Sequence, residues 1–407
     1  MISFGTSEQM NCKPESIQSI NAHIRFLAER IGPRGTGTHE EILAADYVAD
    51  CLTKWGIPFE RLSCRTIVSM NHYPISINMM GLLAFIVYPI DGGLWRWLAA
   101  LLACLVAPFL ALTVRTSGNP LRFILPKVTS PSVLGVIEPL GEVQHQVVLI
   151  SHLDTNKCRL TWKPERLHRL EPLTYATIAV QAVFGILYLV GAILGQRWNI
   201  WFLSLLPGSY LLGIVITLLV DDRTPYSPGA NDNASAVGVS LAIAQDLSQN
   251  ALPNTRIWLA FTGAEETDHY GLRSVLAAHP HDLRQAVFID LEGVGSGDLV
   301  YVTRHGIGLH YFPDAGLLQL ARRVAEEQPD LPGRRIRGEK MIMSEEVSTL
   351  THLGYRAVCI AGHDSFTRGL SKWHQADDTF ENLDPAVLLR AKDYTCALLN
   401  AIDQGER

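Results

Sequence analysis

Four long stretches without a charged side chain constrain this chain more than anything else in it. No Asp, Glu, Lys or Arg lies between Arg65 and Asp91, and after the turn Asp91-Gly92-Gly93 none lies from Trp97 to Val114. Pro172–Gly195 and Trp198–Val220 are likewise uncharged, with only Gln196-Arg197 between them. Apolar runs of roughly 18 or more residues can cross the hydrocarbon core of a bilayer. Two tight pairs of such runs predict two transmembrane helical hairpins, over 67–114 and 172–220. Asn71, His72 and Asn78 make the first run the most polar of the four. A hairpin returns the chain to the side it left, so every water-facing part should share one face of the membrane. Lys157, Arg159, Lys163, Arg166 and Arg169 crowd the entry to the second hairpin, while the far turns carry only Arg96 and Arg197. The positive-inside rule then predicts an integral, multi-pass protein with its water-facing part on the cytoplasmic side.

The composition fits that reading. Over 407 residues, 48% are hydrophobic and 18% charged, and mean hydropathy is +0.14, apolar for a water-soluble enzyme. A net charge of −6 and the lack of a basic stripe argue against nucleic-acid binding. The seven cysteines are scattered and form no C-x-x-C pair, which argues against a disulfide framework or a cysteine-based zinc site. No basic start followed by an apolar core is visible at the N-terminus, so no cleavable leader is expected.

Outside the apolar pairs the chain reads as alternating strands and helices. Ile17, Ile20, Ile24 and Leu27 share a helical face over about 15–30, and a second helix is expected over 39–55. Short β-branched or apolar runs at Val133–Ile137, Val147–Ser151, Arg256–Thr262, Ala286–Leu291, Leu299–Thr303 and Ala357–Ala361 read as buried strands. Helices are expected at 233–249, 314–327 and 385–404. Such alternation predicts an α/β fold, a three-layer α/β/α domain on a mixed, mainly parallel sheet. The domain is discontinuous, assembled from 1–66, 115–170 and 221–407 around the two inserted hairpins.

Five places carry chemistry, most of them directly after an expected strand. They are Ser151-His152-Leu153-Asp154, then Gly229-Ala230-Asn231-Asp232-Asn233, then Ala264-Glu265-Glu266, then Asp290, and last His374-Gln375-Ala376-Asp377-Asp378-Thr379. Each alone is ambiguous: an Asp before a helix is commonly an N-cap, and a Glu-Glu pair commonly a solvated turn. Together they supply imidazoles and carboxylates, a nitrogen–oxygen donor set suited to zinc. Adjacent carboxylates at a strand end suit metal-assisted hydrolysis, one fixing an ion and the other handling a proton. Asp154 is placed to hydrogen-bond the second nitrogen of His152.

In order and spacing these motifs resemble the co-catalytic zinc aminopeptidase family, which includes bacterial leucyl-type aminopeptidases, glutamate carboxypeptidase and the glutaminyl cyclases. The likeness spans roughly 15–66 and 132–404, with both hairpins outside the family's usual domain. It implies two zinc ions per chain. His152 and Asp290 would bind one, Glu266 and His374 the other, and Asp232 would bridge them. Glu265 would be the general base acting on a shared water, and Asp154 would orient His152. The implied activity is removal of N-terminal residues from peptides or related amides near the lipid bilayer. A glutaminyl-cyclase-like or amidohydrolase activity, or a silent membrane scaffold, are the alternatives.

The sequence also departs from the family pattern. Thr267-Asp268-His269-Tyr270 lengthens the loop after Glu265-Glu266, Ser344-Glu345 stands where Ser-Asp is usual, and Gln375 follows His374 in place of Thr. His363, Asp364 and Arg368 are candidates for lining a pocket for the substrate amine, and Arg368 or Lys372 for holding a carboxylate. The oligomeric state is left open.

Overall fold

Strand β3 is the axis of the structure, a computed structural model that describes residues 15–115, 119–328 and 334–406. Cys12 and Pro14 lie outside the described residues. Eight strands form one sheet: β1 (Phe59–Ile67), β2 (Lys127–Ile137), β3 (His145–His152), β4 (Thr255–Thr262), β5 (Val287–Glu292), β6 (Asp298–Arg304), β7 (Arg337–Lys340) and β8 (Arg356–His363). Their order is β1-β2-β4-β3-β5-β8-β6-β7. The central strands β4, β3, β5 and β8 run parallel, while β1/β2, β2/β4 and β6/β8 are antiparallel. The sheet is thus mixed with a parallel centre. β7 is short and polar, so alternation did not reveal it.

The helices are α1 (Glu15–Arg25), α2 (His39–Lys54), α3 (His72–Val87), α4 (Gly93–Val114), α5 (Pro164–Leu167), α6 (Leu170–Ile193) and α7 (Trp198–Leu203). After these come α8 (Leu205–Asp221), α9 (Ala236–Gln249), α10 (Tyr270–Ala278), α11 (Ala315–Glu327), α12 (Glu346–His352) and α13 (Pro385–Asp403). Strand side chains alternate between faces, and the two faces meet different helices. Val147, Leu149, Leu259 and Ile289 pack against α1, α2, α9, α11 and α13 through Ile24, Val48, Leu241, Leu320 and Leu399. Val148, Ile150, Ala260 and Phe288 pack against Leu272 and Val275 of α10 and Val347 and Leu350 of α12.

The four uncharged runs form α3, α4, α6 and α8, with the short α7 preceding α8. α4 and α6, of 22 and 24 residues, are long and apolar enough to cross a membrane, whereas α3 and α8 have 16 and 17 residues. They pack as a bundle about Ala84, Ala103, Phe184, Tyr188 and Leu211, all buried. Glycines allow close helix approach, as membrane bundles favour: a Cβ on Gly185 would come within 3.1 Å of the backbone of α4 at Ala103. The outside of the bundle is the reverse of a water-facing surface. Leu83, Ile86, Leu101, Ile186, Phe202 and Leu206 are all at least half exposed, more large apolar side chains than a few scattered singly over a soluble surface.

Candidate metal centre

The parallel strands bring the site residues to their carboxyl ends, where such sheets place their ligands. His152 closes β3, and its Nε2 lies 3.2 Å from Asp232 Oδ1, 3.4 Å from Glu292 Oε2 and 4.0 Å from Glu265 Oε2. His374 Nε2 lies 3.4 Å from the other oxygen of Asp232 and 3.3 Å from Glu266 Oε1. One carboxylate therefore sits between two imidazoles, each imidazole flanked by a further carboxylate.

Asp290 does not join this cluster. Ile150 pairs with Asp290 across β3 and β5, so His152, two residues on, stands level with Glu292, also two residues on. Asp290 shares Glu292's face of the strand but lies one side-chain pair deeper, opposite Cys359 of β8. It is fully buried, and neither carboxylate oxygen has a hydrogen-bond partner. By register it is Glu292, and not the expected Asp290, that faces His152.

Asp154 also works differently from the expectation. Its main-chain carbonyl accepts from His152 Nδ1 at 2.9 Å, whereas its carboxylate oxygen is 3.8 Å away. The carboxylate instead accepts from Thr36 Oγ1 at 2.6 Å and from the backbone N–H groups of Glu265 and Glu266 at 3.1 and 3.3 Å. It thus fixes the imidazole through its backbone and the Glu-Glu turn through its side chain.

Asp232 is held by an irregular turn that delays α9 to Ala236, three residues later than the expected start. Asp378 accepts from the N–H groups of Asn231 and Asp232, at 2.6 and 3.1 Å. Asn233 donates to Leu291 O and accepts from Gly293 N, at 2.9 and 3.0 Å. These tertiary bonds consume the groups that a helix start would use.

His269 was missed as a site residue. A left-handed backbone turn at Asp268 and His269 aims Nε2 at Glu265 Oε1, 3.3 Å away, while Nδ1 meets Thr349 Oγ1 at 2.7 Å. Burial, then Arg273, pushes the His269 imidazole down to about 3, so it is neutral. Burial raises the Glu265 carboxyl well above its usual range, with Glu266 and Glu292 adding to it against the pull of His152. Burial would lower the His152 imidazole, but Glu292 and Glu265 outweigh it and raise it well above its usual value. Arg159 was read as a membrane-flanking charge. It is buried beside Glu266, Asp222 and Asp221 and lines the cavity at the cluster. Lys157 pairs with Asp222 at 3.7 Å, so two of the five basic residues behind the orientation argument serve this region instead. His363, Asp364, Arg368 and Lys372 are not among the cavity's lining residues.

The donor set fits a metal ion. Ligand atoms of His152, Asp232 and Glu266 lie within 4.8 Å of one another. Glu266 Oε1 and Glu292 Oε1 are buried without a hydrogen-bond partner. Buried carboxylates at such distances repel unless a cation compensates them, and two imidazoles with carboxylate oxygens are zinc chemistry.

Residues 221–399 match the family model of Peptidase family M28. The chain carries an M28 domain. A Caenorhabditis elegans protein, named by inference as endoplasmic reticulum metallopeptidase 1-A, is 36% identical over 91 residues, covering 21% of this chain and 10% of that protein. The likeness of fold to solved structures extends over most of the chain. A glutaminyl cyclase from Bacteroides thetaiotaomicron superposes with a TM-score of 0.56 at 13% identity, covering 96% of this chain and 99% of that one. A zinc aminopeptidase from Bacillus subtilis gives 0.55 at 14% identity, covering 96% of each chain. A Zn-dependent exopeptidase from Parabacteroides distasonis gives 0.54 at 15%, covering 95% of this chain and 97% of that one.

Proposed function

We propose that the protein is a membrane-embedded zinc exopeptidase that removes N-terminal residues from peptides, with the α3–α8 bundle seated in the bilayer. The observation that carries the catalytic part is Asp232 set between His152 and His374, with Glu265 beside it. Two zinc ions would be held, one by His152, Glu292 and Asp232, the other by His374, Glu266 and Asp232. Bound zinc supplies Lewis acidity toward the scissile carbonyl. Glu265 takes a proton from the attacking water and passes it to the departing amine, a role for which burial has already raised its proton affinity. His269 donates its Nε2–H to Ser344 O at 3.0 Å and packs 3.3 Å from one oxygen of Glu265, leaving the other facing the cluster. Asn156 Nδ2 donates to Glu266 Oε2 at 2.6 Å and leaves Oε1 for the metal. The exposed apolar side chains of the bundle support the membrane part.

The test is hydrolysis of a panel of aminoacyl-amides by detergent-purified protein, with zinc counted per chain. Wild type should cleave them with two zinc ions bound, and Glu265→Gln should keep both ions while losing about 100- to 10,000-fold in turnover. Metal-loaded protein that cleaves no aminoacyl-amide but releases ammonia from an N-terminal glutamine would replace this reading with a cyclase. Protein that binds no metal would leave a scaffold.

A further inference from the structure

The cavity at the acidic cluster does not stop there. Its volume is about 730 Å³, in the range of roughly 300–1,000 Å³ typical of pockets that enclose a whole small ligand. From Glu265, Glu266 and His374 it continues between α3, α4, α6 and α8, as far as Asn78, Thr177 and Tyr210. At the helical rise per residue, Thr177 and Tyr210 lie roughly 10 and 16 Å from the ends of α6 and α8 nearest the metal centre. Below them the bundle is closed. Gln181 Nε2 donates to Asn78 Oδ1 at 2.5 Å, and Phe184 and Leu211 pack around Gly81.

One side of the cavity is open. α4 packs along α3 and α6, and α3 along α8, whereas α6 and α8 touch at few points, among them the hydrogen bond of Thr177 Oγ1 with Tyr210 OH at 2.8 Å. Toward the metal centre from that bond, Leu173, Gly213 and Thr217 line the cavity and remain exposed, so α6 and α8 do not cover them there. A Cβ added at Gly213 would meet no atom within 4 Å. The slot opens beside exposed Leu212 and Ile216.

We propose that this slot admits an apolar chain sideways, and that the substrate is a peptide or amide whose portion beyond the scissile bond is a long hydrophobic segment lying between α6 and α8. The inference rests on the exopeptidase reading. An exopeptidase holds one residue on one side of the bond and the whole remainder on the other. The carboxylate-rich end suits the amine-bearing residue, and the long apolar arm suits the remainder. In the reaction the water oxygen bonds to the carbonyl carbon and the C–N bond breaks. One water proton passes through Glu265 to the departing amine, leaving a free amino acid and a shortened apolar amine.

The test compares leucine dodecylamide with leucine methylamide, which share the scissile bond, on protein reconstituted in lipid nanodiscs. Wild type should favour the dodecylamide by at least tenfold in kcat/KM. Gly213→Trp, which fills the slot from a position without neighbours, should lower kcat/KM for the dodecylamide at least tenfold more than for the methylamide, while Gly213→Ala should leave the ratio of the two unchanged. Thr217→Phe narrows the same slot and should act like Gly213→Trp. Partitioning of the dodecylamide into lipid raises wild type and variants alike, so the variants decide. Equal wild-type rates, or a preference that survives both bulky substitutions, would overturn the slot and leave the exopeptidase standing. If wild type cleaves neither amide, the exopeptidase reading falls. Equilibrium binding of labelled leucine dodecylamide then judges the slot alone: tenfold weaker binding in Gly213→Trp supports it, and unchanged binding refutes it.

Discussion

Replacing Glu292 and Asp290 separately is the sharpest perturbation of the metal centre, because the two carboxylates share a strand face and only register distinguishes them. Glu292 Oε2 lies 3.4 Å from His152 Nε2, level with it across the sheet, and its other oxygen has no hydrogen-bond partner. Removing an outer partner of a metal ligand already costs about 10- to 100-fold in affinity. Glu292→Gln takes away a carboxylate that faces the ion, so zinc affinity should fall by at least about 100-fold, or ~2.8 kcal/mol at 1.4 kcal/mol per decade. Asp290→Asn preserves the shape of a deeper side chain between Ile150 and Cys359 and should leave zinc affinity within about threefold, below the loss expected even for an outer partner. Competition with a colorimetric chelator in detergent, read together with zinc per chain, separates the two. The reasoning is refuted if Asp290→Asn strips the metal while Glu292→Gln retains it. A thermal midpoint for each variant guards against counting unfolding as lost affinity.

Other consequences are simpler to state. His23 is buried against Tyr47, and burial, then Lys54, lowers its pKa from 6.5 to about 4; the unfolded chain then binds the extra proton first. Its contribution is complete above pH 6.5 and is lost as pH falls toward 4, about 3 kcal/mol in all, seen as a drop in thermal midpoint that His23→Phe should flatten. Leu241→Ala empties a fully buried position between α9 and the sheet and should cost about 2–5 kcal/mol in denaturant unfolding; a loss below 1 kcal/mol would contradict the packing described. Gly185→Leu drives a side chain into the backbone of α4 at Ala103 and Cys104 and should loosen the bundle, read as faster proteolysis of the 67–220 region, whereas Gly213→Ala should not.

Much of the candidate site was legible because strand ends are local in sequence. An apolar run followed at once by His152, or by Glu265-Glu266, announces a side chain at the carboxyl edge of a sheet without knowledge of its neighbours. Asp290 and Glu292 were not separable that way. They are two apart, so both point to the same face, and which one meets His152 depends on how β5 is registered against β3. His269 was invisible for a related reason: its approach to Glu265 depends on two successive left-handed residues, Asp268 and His269, that no apolar pattern signals. Asp154 meets His152 through its main-chain carbonyl and not its carboxylate, a distinction that sequence cannot make. β7, Arg337-Gly338-Glu339-Lys340, lies at the sheet edge and carries no buried alternation to read.

The insertion between His152 and Asp232 changes what the bundle can do to the site. The segment leaving β3 carries Asn156, which holds Glu266, and Arg159, which lines the cavity. That segment is tied to the end of α8, not to the sheet. Asp221, fully buried, accepts from the N–H groups of Leu160 and Thr161 at 2.9 and 3.3 Å and from the Thr161 hydroxyl, and Asp222 holds Lys157 and His72. The same segment is also bonded beyond α8, where Ser227 N–H donates to Asn156 O and Cys158 N–H to Pro225 O, each at 2.8 Å. Coupling between the bundle and the site requires one contiguous set of packed and hydrogen-bonded groups with two arrangements, and the Asp221–Thr161 and Asn156–Glu266 contacts supply the connected half of that requirement. Asp221 and Asp222 thus join the end of α8 to the segment that carries Asn156, the residue that holds Glu266.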